Sequence, residues 1–178
     1  MYTILVDVDD TVADLLSAWL KLYNHDYFDN LTPESFTEWD MTKTVKPECG
    51  ARIYDYLKLP HLYDIVIPIH GAQDGVRKLR EQGNRVIFVS AGVHCVGKFE
   101  WLKYNGFEPG KQAEDFIVAF DKSRIRGDVL IDDKPENCLE FHSSAILFSQ
   151  PHNRYLKPTP KIFARVDGWR EIVEIFKD

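Results

Sequence analysis

Five aspartates fall into two groups far apart in the chain: Asp7, Asp9 and Asp10 in "ILVDVDDTVADLL" (4–16), and Asp132 and Asp133 in "DVLIDD" (128–133). Each group closes an apolar, β-branched run. Two carboxylates about 4 Å apart repel by roughly 4 kcal/mol at an effective dielectric of 20, so such a cluster persists only where a cation or a shared proton offsets it. If the two runs lie side by side, both groups converge on one point. A hard divalent ion suits that point, and oxygen ligands without a histidine cluster favour Mg²⁺ over Zn²⁺. Taken alone, Asp9 and Asp10 also suit a strand-end turn or a helix N-cap, and Asp10 is expected to cap the next helix or point away.

The elements that must position these acids are legible as an alternation. "YTILVDV" (2–8), "RVIFVSA" (85–91), "DFIVAF" (115–120), "DVLIDD" (128–133) and "SAILFS" (144–149) read as five buried parallel strands. Between them, 71–83 places Ala72, Val76 and Leu79 on one helical face and stops at Gly83, while 97–106 places Phe99 and Leu102 likewise and stops at Gly106. A last amphipathic helix, 168–178, turns Trp169, Ile172, Val173 and Phe176 inward. The pattern predicts an α/β fold with an open parallel sheet, whose crevice lies beyond the carboxyl ends of the strands, where the acids sit.

Residues 15–68 read differently, rich in aromatics and helical in spacing, with Pro33, Pro47, Pro60 and Pro68 cutting them into short pieces. They are expected to form a small helical insertion, residues 1–14 and 69–178 forming the core. The 178 residues, 44% of them hydrophobic, suit one compact domain carrying such an insertion. Three cysteines without a close pair fit a reducing compartment and exclude a disulfide framework. With no apolar run of membrane-spanning length and no signal-peptide pattern at the N-terminus, a cytoplasmic protein without a membrane partner is expected. A net charge of −6 argues against polymeric nucleic acid as partner.

"DVDDTV", Ser90 in "IFVSAG", Lys122 in "FDKSRIRGD" and "LIDD" (130–133) resemble, in order, the four motifs of the haloacid dehalogenase-like phosphatases. "DVDDTVADL" (7–15), "KFEWLKYNGF" (98–107) and "DKSRIRGDVLIDDKPEN" (121–137) are most similar to the 5′(3′)-deoxyribonucleotidase branch. The resemblance implies a Rossmann-like parallel sheet with a small helical cap after the first strand. It implies Asp7 as nucleophile, forming an aspartyl-phosphate, and Asp9 as the acid for the leaving sugar oxygen and then the base for water. Mg²⁺ would be held by Asp7, the main-chain carbonyl of Asp9 and Asp132, with Asp133 acting through water or in support. Ser90, Lys98, Lys122 and the N–H groups of the loop 90–94 would hold the phosphate. Alanine at 91 departs from the family, where a second hydroxyl is frequent.

The insertion is expected to choose the substrate. Leu15, Trp39 and Tyr63 are candidates to line a base pocket, whereas Leu16, Trp19, Leu20 and Tyr23 at helical spacing read as cap core. The resemblance implies a deoxyribonucleoside monophosphate such as dUMP or dTMP, and a homodimer. A phosphatase of sugar phosphates, phosphoproteins or nucleic-acid 3′ ends, or a silent binding protein on the same fold, are the other readings.

Overall fold

The computed structural model describes residues 1–92, 94–110, 115–156 and 159–177. In chain order the strands are β1 (Thr3–Val6), β2 (Arg85–Ser90), β3 (Phe116–Val118), β4 (Val129–Asp132), β5 (Ser144–Phe148) and β6 (Ile162–Val166), all parallel and arranged β3-β2-β1-β4-β5-β6. β1 takes the centre because both its faces are apolar: Ile4 and Val6 enter one core layer and Leu5 the other, all fully buried. The first layer also holds Val86, Phe88, Val129 and Ile131, and the second Ile87, Val89 and Leu130. Strand order reverses between β1 and β4, and a crevice opens there at the carboxyl ends.

The sheet differs from the expectation in number and in strand length. A sixth strand, β6, closes the far edge; its sequence "IFARV" exposes Phe163 and buries only its two ends, so it lacks the unbroken apolar run that marks a central strand. β3 is an edge strand too, half-buried rather than buried. The strands also stop short of the predicted runs, because the polar residues at their ends leave the ladder for the crevice: 2–8 is strand only over Thr3–Val6.

Among the described residues five α-helices accompany the strands: α1 (Leu15–Tyr27), α2 (Ala72–Glu81), α3 (Cys95–Tyr104), α4 (Pro135–Glu140) and α5 (Trp169–Ile175). α2 buries Ala72, Val76 and Leu79, and α5 buries Trp169, Ile172 and Val173, as their spacing predicts; Asp178, at the end of the predicted 168–178 helix, lies outside the described residues. α3 buries Leu102 as expected, but Phe99 is half-buried against Phe116 while Lys98 and Trp101 turn fully inward. α4 has no counterpart in the sequence reading, since six residues carry too little periodicity to register.

Between α1 and α2 the chain forms only short 3-10 turns, at Pro33–Ser35, Met41–Lys43, Gly50–Lys58 and Leu62–Asp64. α1 is capped twice, by Asp14 accepting from the Ser17 N–H (3.3 Å) and by Asp10 accepting from the Leu16 N–H (2.9 Å). Leu16, Trp19, Leu20 and Tyr23 pack with Phe36, Met41, Val45, Cys49 and Ile53 into a cluster made wholly of residues from this stretch. Leu15, Ala18, Leu62, Tyr63 and Val66 belong instead to the sheet's first core layer, so the stretch is seated firmly on the sheet. Cys49 and Cys138 are buried and Cys95 half-buried, all three as free thiols.

α2 and α5 cross at Gly75. A Cβ there would meet the Trp169 ring at 2.5 Å, so the usual gain of about 0.5–1 kcal/mol from glycine to alanine inside a helix is reversed. Gly75→Ala is expected to destabilise the protein by about 1–3 kcal/mol in urea denaturation; a gain in stability would show that the two helices do not approach this closely.

Candidate active site

Register brings the two acidic groups together. Val6 of β1 pairs with Ile131 of β4, and the Asp7 N–H extends the ladder to the Ile131 carbonyl at 2.9 Å, so Asp7 emerges beside Asp132. Carboxylate oxygens of Asp7, Asp132 and Asp133 all lie within 4.8 Å of one another, and all three residues are buried. Between Asp7 and Asp132 sits the Lys122 ammonium, delivered by the short turn Lys122–Arg124; it donates to Asp7 Oδ1 and to Asp132 Oδ2 (2.6 Å). Asp132 is held further by the Lys134 N–H on Oδ1 (2.9 Å) and by the Asn137 amide on both oxygens.

Charge is out of balance here. Burial pushes the Asp7 carboxyl well above the ordinary carboxylate range; Lys122 opposes this, while Asp132, Asp133 and Asp9 reinforce it. Asp133 is raised by burial and then by Asp132. Burial works against the Lys122 ammonium, yet Asp132 and Asp7 outweigh it and hold it above a lysine's usual value. One ammonium facing three buried carboxylates leaves room for a further positive charge. The Asp133 Oδ2, buried and 3.0 Å from His152 Nε2, makes no aligned hydrogen bond. Oxygen donors from three buried aspartates within 4.8 Å of one another suit a hard divalent cation, and the donor set fits one.

Asp9 faces the other side of the crevice. Its Oδ2 accepts from Lys98 Nζ (2.6 Å) and its Oδ1 from the Tyr63 hydroxyl. Burial, followed by the nearby Asp9 charge, holds the Tyr63 phenol well above its ordinary value, which keeps it a donor. Lys98, buried in the first turn of α3, also donates to Ser90 Oγ (2.9 Å) and the Ala91 carbonyl (2.8 Å), so its ammonium ties Asp9 to the end of β2.

Asp7, Asp9, Lys98, Lys122, Asp132 and Asp133 line the floor of one cavity of about 460 Å³, and Leu15, Trp19, Trp39, Tyr54 and Tyr63 line its walls. Every residue picked from sequence reaches this place, with Ser90 just beneath the floor, bound to Lys98. Val93, in the expected phosphate loop 90–94, lies outside the described residues. Trp39 stands at the mouth, 51% exposed, edge-on to His152 at 4.8 Å and with the Lys134 ammonium 5.4 Å from its ring centroid. Asp10 caps α1 as expected and borders an adjoining aromatic pocket of about 180 Å³, with Trp19, Phe36 and Tyr54.

Sequence reasoning passed over Asn137, His152, Tyr54 and the wall position of Trp19. Asn137 carries a signal in retrospect, five residues after Asp132 in the first turn of α4. His152 has none, because its closeness to Asp133 comes from the return of the chain after β5 and not from spacing.

The strand order, common to doubly wound sheets, together with paired aspartates at the switch point fits a haloacid dehalogenase-like hydrolase. Solved structures agree in fold: a predicted phosphatase from Clostridium acetobutylicum (TM-score 0.60, 16% identity, 98% of each chain covered) and a HAD family hydrolase from Deinococcus radiodurans with bound phosphate and sodium (TM-score 0.56, 14% identity, 96% of this chain and 92% of that one). In sequence, the family model described as "5′ nucleotidase, deoxy (Pyrimidine), cytosolic type C protein" matches residues 1–177. A 5′(3′)-deoxyribonucleotidase of Clostridium acetobutylicum is 33% identical, covering 99% of this chain and 97% of its own. The human cytosolic-type 5′(3′)-deoxyribonucleotidase is 27% identical, over 96% and 92%. The chain belongs to the 5′(3′)-deoxyribonucleotidase family and is a phosphoric monoester hydrolase with nucleotide phosphatase activity.

Lys122, 3% exposed, bridges two buried carboxylates and offsets their mutual repulsion. Lys122→Met is expected to cost about 3–5 kcal/mol of stability in chelator-treated protein, because Asp7 and Asp132 are left without their ammonium. Denaturant melts matching wild type would show that the cluster does not depend on this residue.

Proposed function

We propose that the chain is a Mg²⁺-dependent phosphatase of pyrimidine deoxyribonucleoside monophosphates, with dUMP and dTMP as leading substrates, working through an aspartyl-phosphate on Asp7. The observation that carries it is the convergence of Asp7, Asp132 and Lys122 at the β1/β4 reversal, on the floor of an aromatic-walled cavity. Support for the base class comes from the words "deoxy (Pyrimidine)" in the matched family's description. A cytoplasmic setting fits the three free cysteines and the cytosolic designation of the human relative.

The nucleotide's phosphate lies over Asp7, between Lys122 on one side and Lys98 with Ser90 on the other. Lys98 exchanges its bond to Asp9 for one to a phosphoryl oxygen. An Asp7 carboxylate oxygen attacks phosphorus, the bond from phosphorus to the sugar oxygen breaks, and Asp9 gives that oxygen its proton, releasing the nucleoside. Asp9 then takes a proton from a water that attacks the same phosphorus, which frees inorganic phosphate and restores Asp7. Asp7, the Asp9 carbonyl and Asp132 would hold Mg²⁺, with Asp133 in support, and the ion so held would supply positive charge for the phosphoryl oxygens. Residues 15–68 act as the cap over the core of 1–14 and 69–178: Leu15 and Tyr63 wall the nucleoside and Trp39 offers a stacking face at the entrance.

Asp7→Asn is expected to lower kcat by about 10³-fold or more while leaving the far-UV spectrum intact. Equal turnover by wild type and variant would refute the nucleophile. A panel of dUMP, dTMP, purine deoxynucleotides and sugar phosphates is expected to rank the two pyrimidine nucleotides first by kcat/KM, and a preference for the sugar phosphates would end the substrate assignment.

A further inference from the structure

Asp9 needs more holding than its neighbours. Its side chain is 28% exposed, whereas those of Asp132 and Lys122 are all but sealed, and the outer torsion of an aspartate is broad and two-fold. Two bonds fix it, from Lys98 to Oδ2 and from Tyr63 to Oδ1. They differ in what they can do. An ammonium only donates, so Lys98 can serve the carboxylate but not accept from the protonated acid, and Lys98 is also the group an incoming phosphate competes for. A phenol can do both: it donates to the carboxylate and accepts from the carboxylic acid. Once Lys98 turns to an anion, Tyr63 is, among the described residues, the side-chain hydrogen-bond partner that Asp9 keeps.

The hydroxyl is delivered from a firmly seated ring. Tyr63 belongs to the turn Leu62–Asp64, is 8% exposed, and packs edge-on against Trp101 (6.1 Å between centroids). Trp101 is itself pinned by its indole N–H on the Val66 carbonyl at 3.0 Å. We propose that Tyr63 is a positioning residue for leaving-group departure: its hydroxyl, reaching down from the inserted segment, keeps the Asp9 carboxyl in one orientation through the change of partner at Lys98. The proposal rests on the reading of Asp9 as acid for the sugar oxygen, and it gives Tyr63 a task separate from walling the nucleoside.

Tyr63→Phe keeps the ring and removes only the hydroxyl. Three esters separate the possibilities through kcat/KM, which reports events up to departure of the leaving group. dUMP has a poor alcohol leaving group and a base, 2-deoxyribose 5-phosphate has the same kind of leaving group without a base, and p-nitrophenyl phosphate releases a phenolate that needs no proton. The variant is expected to lose tenfold or more on both sugar esters and less than threefold on the aryl ester, and Asp9→Asn is expected to lose still more on the sugar esters. Loss on dUMP alone would make the hydroxyl a base contact. Equal loss on all three would make it a packing group, and no loss would make it idle; each of these overturns the proposal. Failure of the underlying reading shows elsewhere: wild type would turn over none of the esters, or Asp9→Asn would match wild type on the sugar esters.

Discussion

Buried negative charge at the end of two adjacent strands is the constraint around which the molecule is arranged. Asp7, Asp132 and Asp133 come within 4.8 Å of one another while largely buried, with one ammonium among them. That arrangement costs free energy, and the fold supplies what offsets it. Both neighbours of the acids are central strands sealed by two apolar layers, so the backbone that carries Asp7 and Asp132 cannot spread to relieve the repulsion. Lys122 and Asn137 are brought in from the flanks of β4 to bond Asp132, and the three carboxylates together could hold a metal ion.

The second half of the crevice obeys a different logic. Asp9 is wetter than the triad, and its partners come from two separate parts of the chain, Lys98 from the helix after β2 and Tyr63 from the insertion. Insertion and sheet share one apolar layer through Leu15, Ala18, Leu62, Tyr63 and Val66. The part of the chain that walls the cavity is therefore mechanically continuous with the part that holds the acids, while its own cluster around Trp19, Tyr23 and Ile53 keeps its short turns in place without a strand.

Much of this was legible in the sequence because the central strands announce themselves. "TILV", "RVIFVS" and "VLID" are buried on both faces, so unbroken apolar runs identified them, and the acids at their ends followed. One edge was not legible: β6 buries only its two ends, so its mixed "IFARV" lacks the unbroken apolar run of a central strand, while the other edge, β3, showed itself in "DFIVAF". α4 was too short for a period to show. Among the site residues, those following a strand could be placed by rule and Asn137 has its signal in the five-residue spacing from Asp132, whereas His152 depends on how the chain returns after β5, which no spacing encodes. Tyr63 lines the cavity, but its bond to an acid 54 residues away required coordinates.

The account depends on a cation completing the triad. Calorimetric titration of Mg²⁺ into the wild-type protein and Asp132→Ala, each first stripped with chelator, tests it most directly. One saturable ion per wild-type chain, with binding weakened about a hundredfold or more in the variant, is the result expected of an ion gripped from both strands. Saturable binding of equal strength in the two proteins, or none in wild type, would mean that acids so far apart in the chain were brought together for some other purpose.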